Sequence, residues 1–158
     1  MSKKIAIFPG SFDPITVGHE AIIKRGIHLF DEIVVAVGSN TTKNYMYPLS
    51  VRTKWIEDIF YDQEQVNVKS YEGLTVNFCE SIGAQFILRG LRTSADFEFE
   101  RQIGQMNEAL NKKIQTVFLL ANQQHSAISS TIVREIIKSG GDASQFVPKQ
   151  VNLNEGNN

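Results

Sequence analysis

The sequence predicts an α/β protein built on a doubly wound parallel sheet of five strands with helices on both faces. Two observations carry this. Short runs that are apolar at successive positions alternate along the chain with longer runs of helical period. No internal repeat or linker-like stretch divides the 158 residues, a length that suits one domain. That domain is expected over residues 1–150, with a polar, Asn-rich and frayed tail over 151–158.

The elements follow in order. Ile5–Phe8 reads as a buried strand ended by Pro9-Gly10. Gly18 to Phe30 is helical, with Ile22, Ile23, Ile27 and Phe30 along one side. Glu32–Val37 is the second strand, rich in β-branched residues and closed by Gly38-Ser39-Asn40. Ser50 is placed to cap a helix in which Val51, Trp55 and Ile59 recur at i, i+4 and i+8. Val66–Val68 is a weak strand. A short helix over about Thr75 to Ile82 precedes the strand Phe86–Leu88. After Arg92 comes a long helix whose apolar stripe is Phe99, Ile103, Met106 and Leu110. Thr116–Leu120 is the fifth strand. Ser129 or Ser130 caps a last helix with Ile132, Val133, Ile136 and Ile137 inward, ended by Gly140-Gly141.

Composition excludes several classes of function. Hydrophobic residues are 42% and charged residues 21%, which argues against wholesale disorder. Sixteen Lys and Arg against seventeen Asp and Glu give a net charge of −1, so a broad polyanion-binding surface is excluded. Nucleic acid is therefore not an expected partner, and no basic stripe interleaved with aromatics appears. Cys79 is the single cysteine, which rules out an internal disulfide and a multi-cysteine zinc site. The first apolar run is too short for a signal peptide, and no stretch approaches 18 apolar residues. A soluble, cytoplasmic protein without a membrane partner is expected.

In an open α/β sheet, ligands bind beyond the carboxyl ends of the strands. Five segments fall there. Pro9 to His19, with Gly10, Ser11, Phe12, Asp13, Pro14, Thr16 and Gly18, ends the first strand and opens the first helix, where free N–H groups suit a phosphate. It is neither a P-loop nor a dinucleotide fingerprint, because Gly-Lys-Ser/Thr and G-x-G-x-x-G are absent. Ser39 to Lys43 follows the second strand, and Gly73-Leu74-Thr75 precedes the short helix. Arg89-Gly90-Leu91-Arg92 follows the fourth strand and resembles a bidentate anion clamp. In the acidic run after it, Asp96 and Glu100 share a helix face while Glu98 does not, so no metal site built from side chains is expected. Finally, His125 to Arg134 places Ser129, Ser130 and Thr131 at a helix start as a second phosphate cradle. Each segment alone has a plain structural explanation as a turn, a cap or solvated charge. Their common placement points to a polyphosphate site, and so to a nucleotide or phosphoester enzyme.

These residues resemble a known family. Gly10-Ser11-Phe12-Asp13-Pro14 with Thr16, Gly18 and His19, and Ile128-Ser129-Ser130-Thr131 with Arg134, look like the two nucleotide motifs of the nucleotidylyltransferase superfamily. Arg89–Arg92 with Asp96–Glu100, and Gly141-Asp142 with Phe146-Val147-Pro148, are similar to the bacterial phosphopantetheine adenylyltransferases. The resemblance runs from about Ile5 to Val151. It implies a Rossmann-like sheet and a homohexamer. It also implies a magnesium-dependent reaction of ATP with 4′-phosphopantetheine, giving dephospho-coenzyme A and pyrophosphate.

Carried over by position, the resemblance gives His19 the role of binding ATP and stabilising the transition state, and the need to neutralise charge at the α-phosphate makes His19, Lys43 and Arg92 the expected catalytic residues. Ser11, Phe12, His19, Gly90, Leu91, Arg92, Glu100, His125, Ser126, Ala127, Ile128, Ser129, Ser130 and Thr131 would hold ATP. Ser11, Lys43, Thr75 and Arg89 would hold phosphopantetheine. The chain departs from the family pattern at His125 and Ala127, where a Trp and a bulky apolar residue are commoner, and at Thr75, where an apolar residue is.

The chemistry asks little more of the protein. The nucleophile is a phosphate monoester with a second pKa near about 6, so it is ionised at neutral pH without a general base. Catalysis would come from in-line positioning and from neutralising charge at the α-phosphate, with magnesium held mainly by ATP and water. Two other readings share part of the pattern: a cytidylyltransferase acting on a phospho-alcohol, and a nucleotide-binding module without catalysis.

Overall fold

Five strands align in the order β3-β2-β1-β4-β5, all parallel in a computed structural model that describes residues 1–156. They are β1 (Ile5–Gly10), β2 (Glu32–Gly38), β3 (Val66–Tyr71), β4 (Phe86–Leu91) and β5 (Gln115–Leu120). The helices between and after them are α1 (Val17–Gly26), α2 (Leu49–Ile59), α3 (Thr75–Ile82), α4 (Ser94–Leu110) and α5 (Ser130–Lys138). The chain winds outward from β1 to β3, crosses to β4, and winds the other way, which makes β1 and β4 the switch point.

Alternate residues of the central strands feed two cores. Ala6, Phe8, Ile33, Val35 and Val37 pack under α1, α2 and α5, against Ile23, Trp55, Ile56 and Val133. Ile7, Val34, Ala36 and Ile87 pack on the other face against Val76 and Cys79 of α3, with Ile114. Each of the Val, Ile and Phe side chains among them contributes about 1.5–3 kcal/mol when fully buried. The predicted doubly wound sheet is thus the observed one.

The seam between β1 and β4 decides where the site lies. β1 pairs with β2 from Ile5↔Glu32 to Gly10↔Val37, yet with β4 only at Ala6↔Phe86 and Ile7↔Ile87. Beyond Ile7 the two strands part. Pro9 has no N–H to give a neighbour, and its carbonyl faces β4 and is taken by Arg89 Nη1 at 2.7 Å. A crevice opens at the carboxyl ends as a result.

Several boundaries differ from the sequence reading. β4 runs on through Leu91, so Arg89 and Gly90 are strand residues fixed by pairing with Phe118 and Leu119. α1 ends at Gly26 rather than Phe30. A Cβ on Gly26 would come within 2.6 Å of Ile33 Cδ1 and 2.9 Å of Leu88 Cδ2, so the helix meets the sheet there and turns away. α2 starts at Leu49 behind Pro48, and Ser50 lies inside its first turn instead of capping it.

Two larger expectations also change. The α4 stripe is exposed: Phe99 at 65%, Met106 at 62%, Leu110 at 57% and Ile103 at 40%. The expected frayed tail does not describe 151–156. Val151 is buried, the Tyr47 hydroxyl donates to the Leu153 carbonyl at 2.8 Å, and Trp55 Nε1 donates to Glu155 at 3.2 Å. Two apolar side chains among the asparagines supply the anchor. Residues 157–158 lie outside the described residues.

Candidate active site

Two compartments meet at the parted strands. One, of about 250 Å³, lies between the starts of α1 and α5 and is lined by Thr16, Gly18, His19, Gly90, Arg92, Asp96, His125, Ile128 and Ser129–Thr131. The other, of about 620 Å³, lies over the ends of β2 and β3 and is lined by Ser11, Ser39–Thr41, Lys43, Tyr45, Tyr71–Gly73, Thr75, Gly104 and Asn107. Pro9, Gly10, Arg89 and Glu100 border both and form the shared wall.

His19 is locked by its own helix. Thr16 caps α1: its hydroxyl accepts from the His19 N–H at 3.3 Å, and His19 Nδ1 accepts from the Thr16 N–H at 3.0 Å. This reciprocal box uses a histidine where a Glu or Gln is usual. Because Nδ1 accepts, the proton of the neutral ring lies on Nε2, which has no partner among the described residues. Phe12 and Phe8 meet the imidazole edge-on at centroid distances of 5.1 and 6.2 Å. Burial first, and then the positive charges of Arg89 and Arg92, hold the imidazole pKa down to about 4. His19 is therefore a neutral hydrogen-bond donor at pH 7.

Phe12 holds that ring from behind. It has φ of 48°, a left-handed conformation, and its ring lies where a Cβ on Gly10 would approach to 3.1 Å. Gly10 is bare so that the Phe12 ring can tuck under the strand end.

The start of α5 offers backbone more than hydroxyls. Ser129 caps the helix by accepting from the Ile132 N–H at 3.2 Å, and Thr131 accepts from Arg134 at 3.2 Å. Ser130 spends its proton on the Pro14 carbonyl at 2.7 Å, which ties α5 to the β1–α1 loop. The N–H groups of Ser130 and Thr131, and those of Val17 and Gly18 at the start of α1, have no protein acceptor among the described residues. Free donors thus stand at two helix ends around the same small compartment, which Gly18, Ser130 and Thr131 line. Arg92 bridges the far side, bonding Asp96 at 3.2 Å and the Ile128 carbonyl at 3.1 Å.

In the larger compartment Lys43 Nζ donates to the Ser11 hydroxyl at 3.2 Å. Thr75 pairs with the Tyr71 hydroxyl at 3.1 Å. Arg89 binds Glu100 through both carboxylate oxygens, at 2.8 and 2.6 Å, besides its bond to Pro9. Three of the five guanidinium N–H donors are spent, and two remain.

The structure brings most of the sequence-predicted residues together. His19, Gly90, Arg92, Glu100, His125, Ile128, Ser129, Ser130 and Thr131 line the smaller compartment; Ser11, Lys43 and Thr75 line the larger; Arg89 borders both. Phe12, Leu91, Ser126 and Ala127 line neither. His125 Nδ1 is a buried atom with no partner.

Sequence reasoning missed Arg52. Its guanidinium is 1% exposed and donates to the carbonyls of Ser11, Gly38 and Tyr47. The signal was present: Arg52, Trp55, Ile56 and Ile59 fall at i, i+3, i+4 and i+7, so an arginine occupies an inward position of α2. The work of Asp13 was also missed. Its buried carboxylate accepts from the Met46 and Tyr47 N–H groups at 2.8 and 2.9 Å, joining the first loop to the entry of α2.

The profile of the family described as cytidylyltransferase-like matches residues 7–136 of the chain. The phosphopantetheine adenylyltransferase of Flavobacterium psychrophilum is 55% identical over 148 residues, covering 94% of this chain and 97% of that one. Those of Christiangramia forsetii and Lachnoclostridium phytofermentans are 47% and 44% identical over the same share of this chain, covering 97% and 91% of their own. Among solved structures, a protein described as a candidate nicotinate-nucleotide adenylyltransferase from Vibrio parahaemolyticus superposes with a TM-score of 0.69. It is 23% identical, covers 98% of this chain and 94% of its own, and attests the fold.

Proposed function

The chain belongs to the phosphopantetheine adenylyltransferase family, and we propose that its crevice transfers the adenylyl group of ATP to 4′-phosphopantetheine, giving dephospho-coenzyme A and pyrophosphate. The observation that carries this reading is the shared wall. Two compartments of different size and lining meet at Pro9, Gly10, Arg89 and Glu100, as a reaction between two phosphorylated substrates requires.

The triphosphate runs along the starts of α1 and α5, where the free backbone N–H groups of Gly18, Ser130 and Thr131 and the Arg92 guanidinium meet its charge. The acceptor phosphate lies beside Lys43 and the two free N–H bonds of Arg89. Its ionised oxygen attacks the α-phosphorus in line, the bond from that phosphorus to the α,β-bridging oxygen breaks, and the electron pair leaves on that oxygen with pyrophosphate. No covalent enzyme intermediate forms. His19, neutral and fixed by its cap, donates Nε2–H to the α-phosphate oxygen as charge builds there.

Magnesium fits this site as part of the ATP substrate. Of the carboxylates that line the crevice, Glu100 is held by Arg89 and Asp96 by Arg92, while Glu72 takes only a long bond from the Ser39 hydroxyl at 3.5 Å. No group of three or more ligating side chains occurs among the described residues. An ion carried by the phosphates and water, in the usual manner of Mg²⁺, asks for none.

A homohexamer and a cytoplasmic site of action belong to the same proposal. The exposed apolar stripe of α4 supports assembly. No helix of the described residues is long and apolar enough to cross a membrane.

Pyrophosphate release from ATP, measured with and without phosphopantetheine and repeated with CTP, tests the reading. Release that needs both ATP and the acceptor is expected. Turnover with CTP in preference to ATP, or ATP binding without release, would overturn it.

A further inference from the structure

We propose that Arg52 is a positioning residue for the acceptor side of the crevice, setting the spacing of the Ser11 turn and the Lys43 loop by tying three backbone carbonyls to one guanidinium. The inference rests on the adenylyl-transfer reading above. It assigns to a residue of the α2 interior a selective effect on one of the two substrates.

The three carbonyls come from three separate segments. Ser11 O, at 2.6 Å, follows β1; Gly38 O, at 3.1 Å, ends β2; Tyr47 O, at 3.0 Å, enters α2. The Tyr45 ring lies on the guanidinium at 4.0 Å, and the Tyr45 hydroxyl accepts from the Asn40 N–H at 3.1 Å, which closes the loop carrying Lys43 over the same cation. Lys43 then reaches Ser11 across the loop mouth at 3.2 Å.

A buried arginine is a poor device for stability alone. Taking the charge out of water costs several kcal/mol, and well-packed apolar side chains often serve as well or better. Arg52 has no carboxylate among its hydrogen-bond partners; its partners are carbonyls, which a planar fork fixes in direction. That arrangement specifies geometry.

The selectivity follows from where the partners lie. Ser11, Gly38, Lys43 and Tyr45 line the larger compartment, and none of them lines the smaller one. The other end of the same turn is held from the ATP side, by Arg134 on Asp13 O at 2.8 Å and Ser130 on Pro14 O at 2.7 Å. Loss of the Arg52 fork therefore releases the acceptor side while the ATP side stays pinned.

The test is Arg52→Lys in the full chain, with initial rates at varied phosphopantetheine and varied ATP, and ATP affinity by calorimetry without acceptor. Lysine keeps the charge and loses the fork. The expected result is a fall of about tenfold or more in kcat/KM for phosphopantetheine, the scale of a sub-ångström misplacement, with ATP affinity unchanged within about twofold. Equal losses for both substrates, or wild-type acceptor kinetics, would overturn the proposal. If Arg52→Lys does not fold, Arg52→Gln decides, since its planar amide cannot hold the three carbonyls together and its size keeps the inward position of α2 filled. An acceptor-selective loss there supports the proposal, and unchanged acceptor kinetics refute it. Failure of the wild-type protein to turn over phosphopantetheine at all would strike the functional reading itself.

Discussion

Arg89 and Glu100 meet side on, with Nε 2.8 Å from one carboxylate oxygen and Nη2 2.6 Å from the other, across the wall that both compartments share. The pair is partly buried, with side-chain exposures of 29% and 11%. It fixes Arg89 in the plane that leaves its two free N–H bonds available to a ligand.

Glu100→Gln tests that pair. The amide keeps one acceptor and loses the charge, so the guanidinium is left half-buried and half-satisfied. A loss of about 1–3 kcal/mol is expected, since one strong partner of a shielded group is weakened rather than removed. The thermal midpoint should fall, and KM should rise for ATP and for the acceptor together, because the wall serves both. A change confined to one substrate would refute the shared-wall geometry.

His19→Ala removes a preorganised donor. A fall in kcat of about 10²–10³ or more is expected, the usual loss for one such group. Stability should drop by only about 1 kcal/mol, the worth of the reciprocal cap with Thr16. Circular dichroism with single-turnover kinetics separates the two effects, and a variant with normal turnover would sink the role.

The depressed pKa of His19 makes a prediction about acid. The folded protein holds the imidazole neutral down to about 4, whereas the unfolded chain protonates it near 6.5. Above pH 6.5 both states carry the neutral ring and stability is full. As pH falls from 6.5 toward 4, the unfolded state binds the proton and the folded state does not, so stability declines with a limiting slope of about 1.4 kcal/mol per unit. Denaturant midpoints measured across that window should show a component of the slope that His19→Ala lacks. Activity should follow a different group. Its acid limb should lie near about 6, at the second ionisation of the acceptor phosphate, and should remain there in His19→Ala.

The legibility of the chain divides along a physical line. Strand runs such as Glu32–Val37 and the helix start at Ser129 are local signals, and the sequence reading placed them on the right elements. The charges of the crevice were legible because they cluster after strands. What was not legible depends on partners far apart in sequence. Arg52 reaches Ser11 across 41 positions, and Arg134 reaches Asp13 across 121. Ser130 was expected to offer a hydroxyl to phosphate and instead spends it on Pro14, a partner 116 positions away. The α4 stripe shows the same limit: a helical period of apolar residues specifies a face to be covered, without saying by what.

That face yields the last prediction. Phe99, Ile103, Met106 and Leu110 recur along α4 and stay between 40% and 65% exposed, beside Phe97 at 42% and Leu120 at 70%. A contiguous apolar surface of this kind is unfavourable on a monomer and is removed by association. Met106→Glu with Phe99→Glu places charge at its centre. Light scattering of the unaltered protein should return a multiple of the 17.7 kDa chain, and the double variant should return the chain mass. Ile103 also lines the larger compartment, beside Gly104 and Asn107. The dissociated variant should therefore lose affinity for the acceptor before it loses affinity for ATP. An unaltered protein that scatters as a 17.7 kDa particle would refute the assembly and detach this helix from the acceptor compartment.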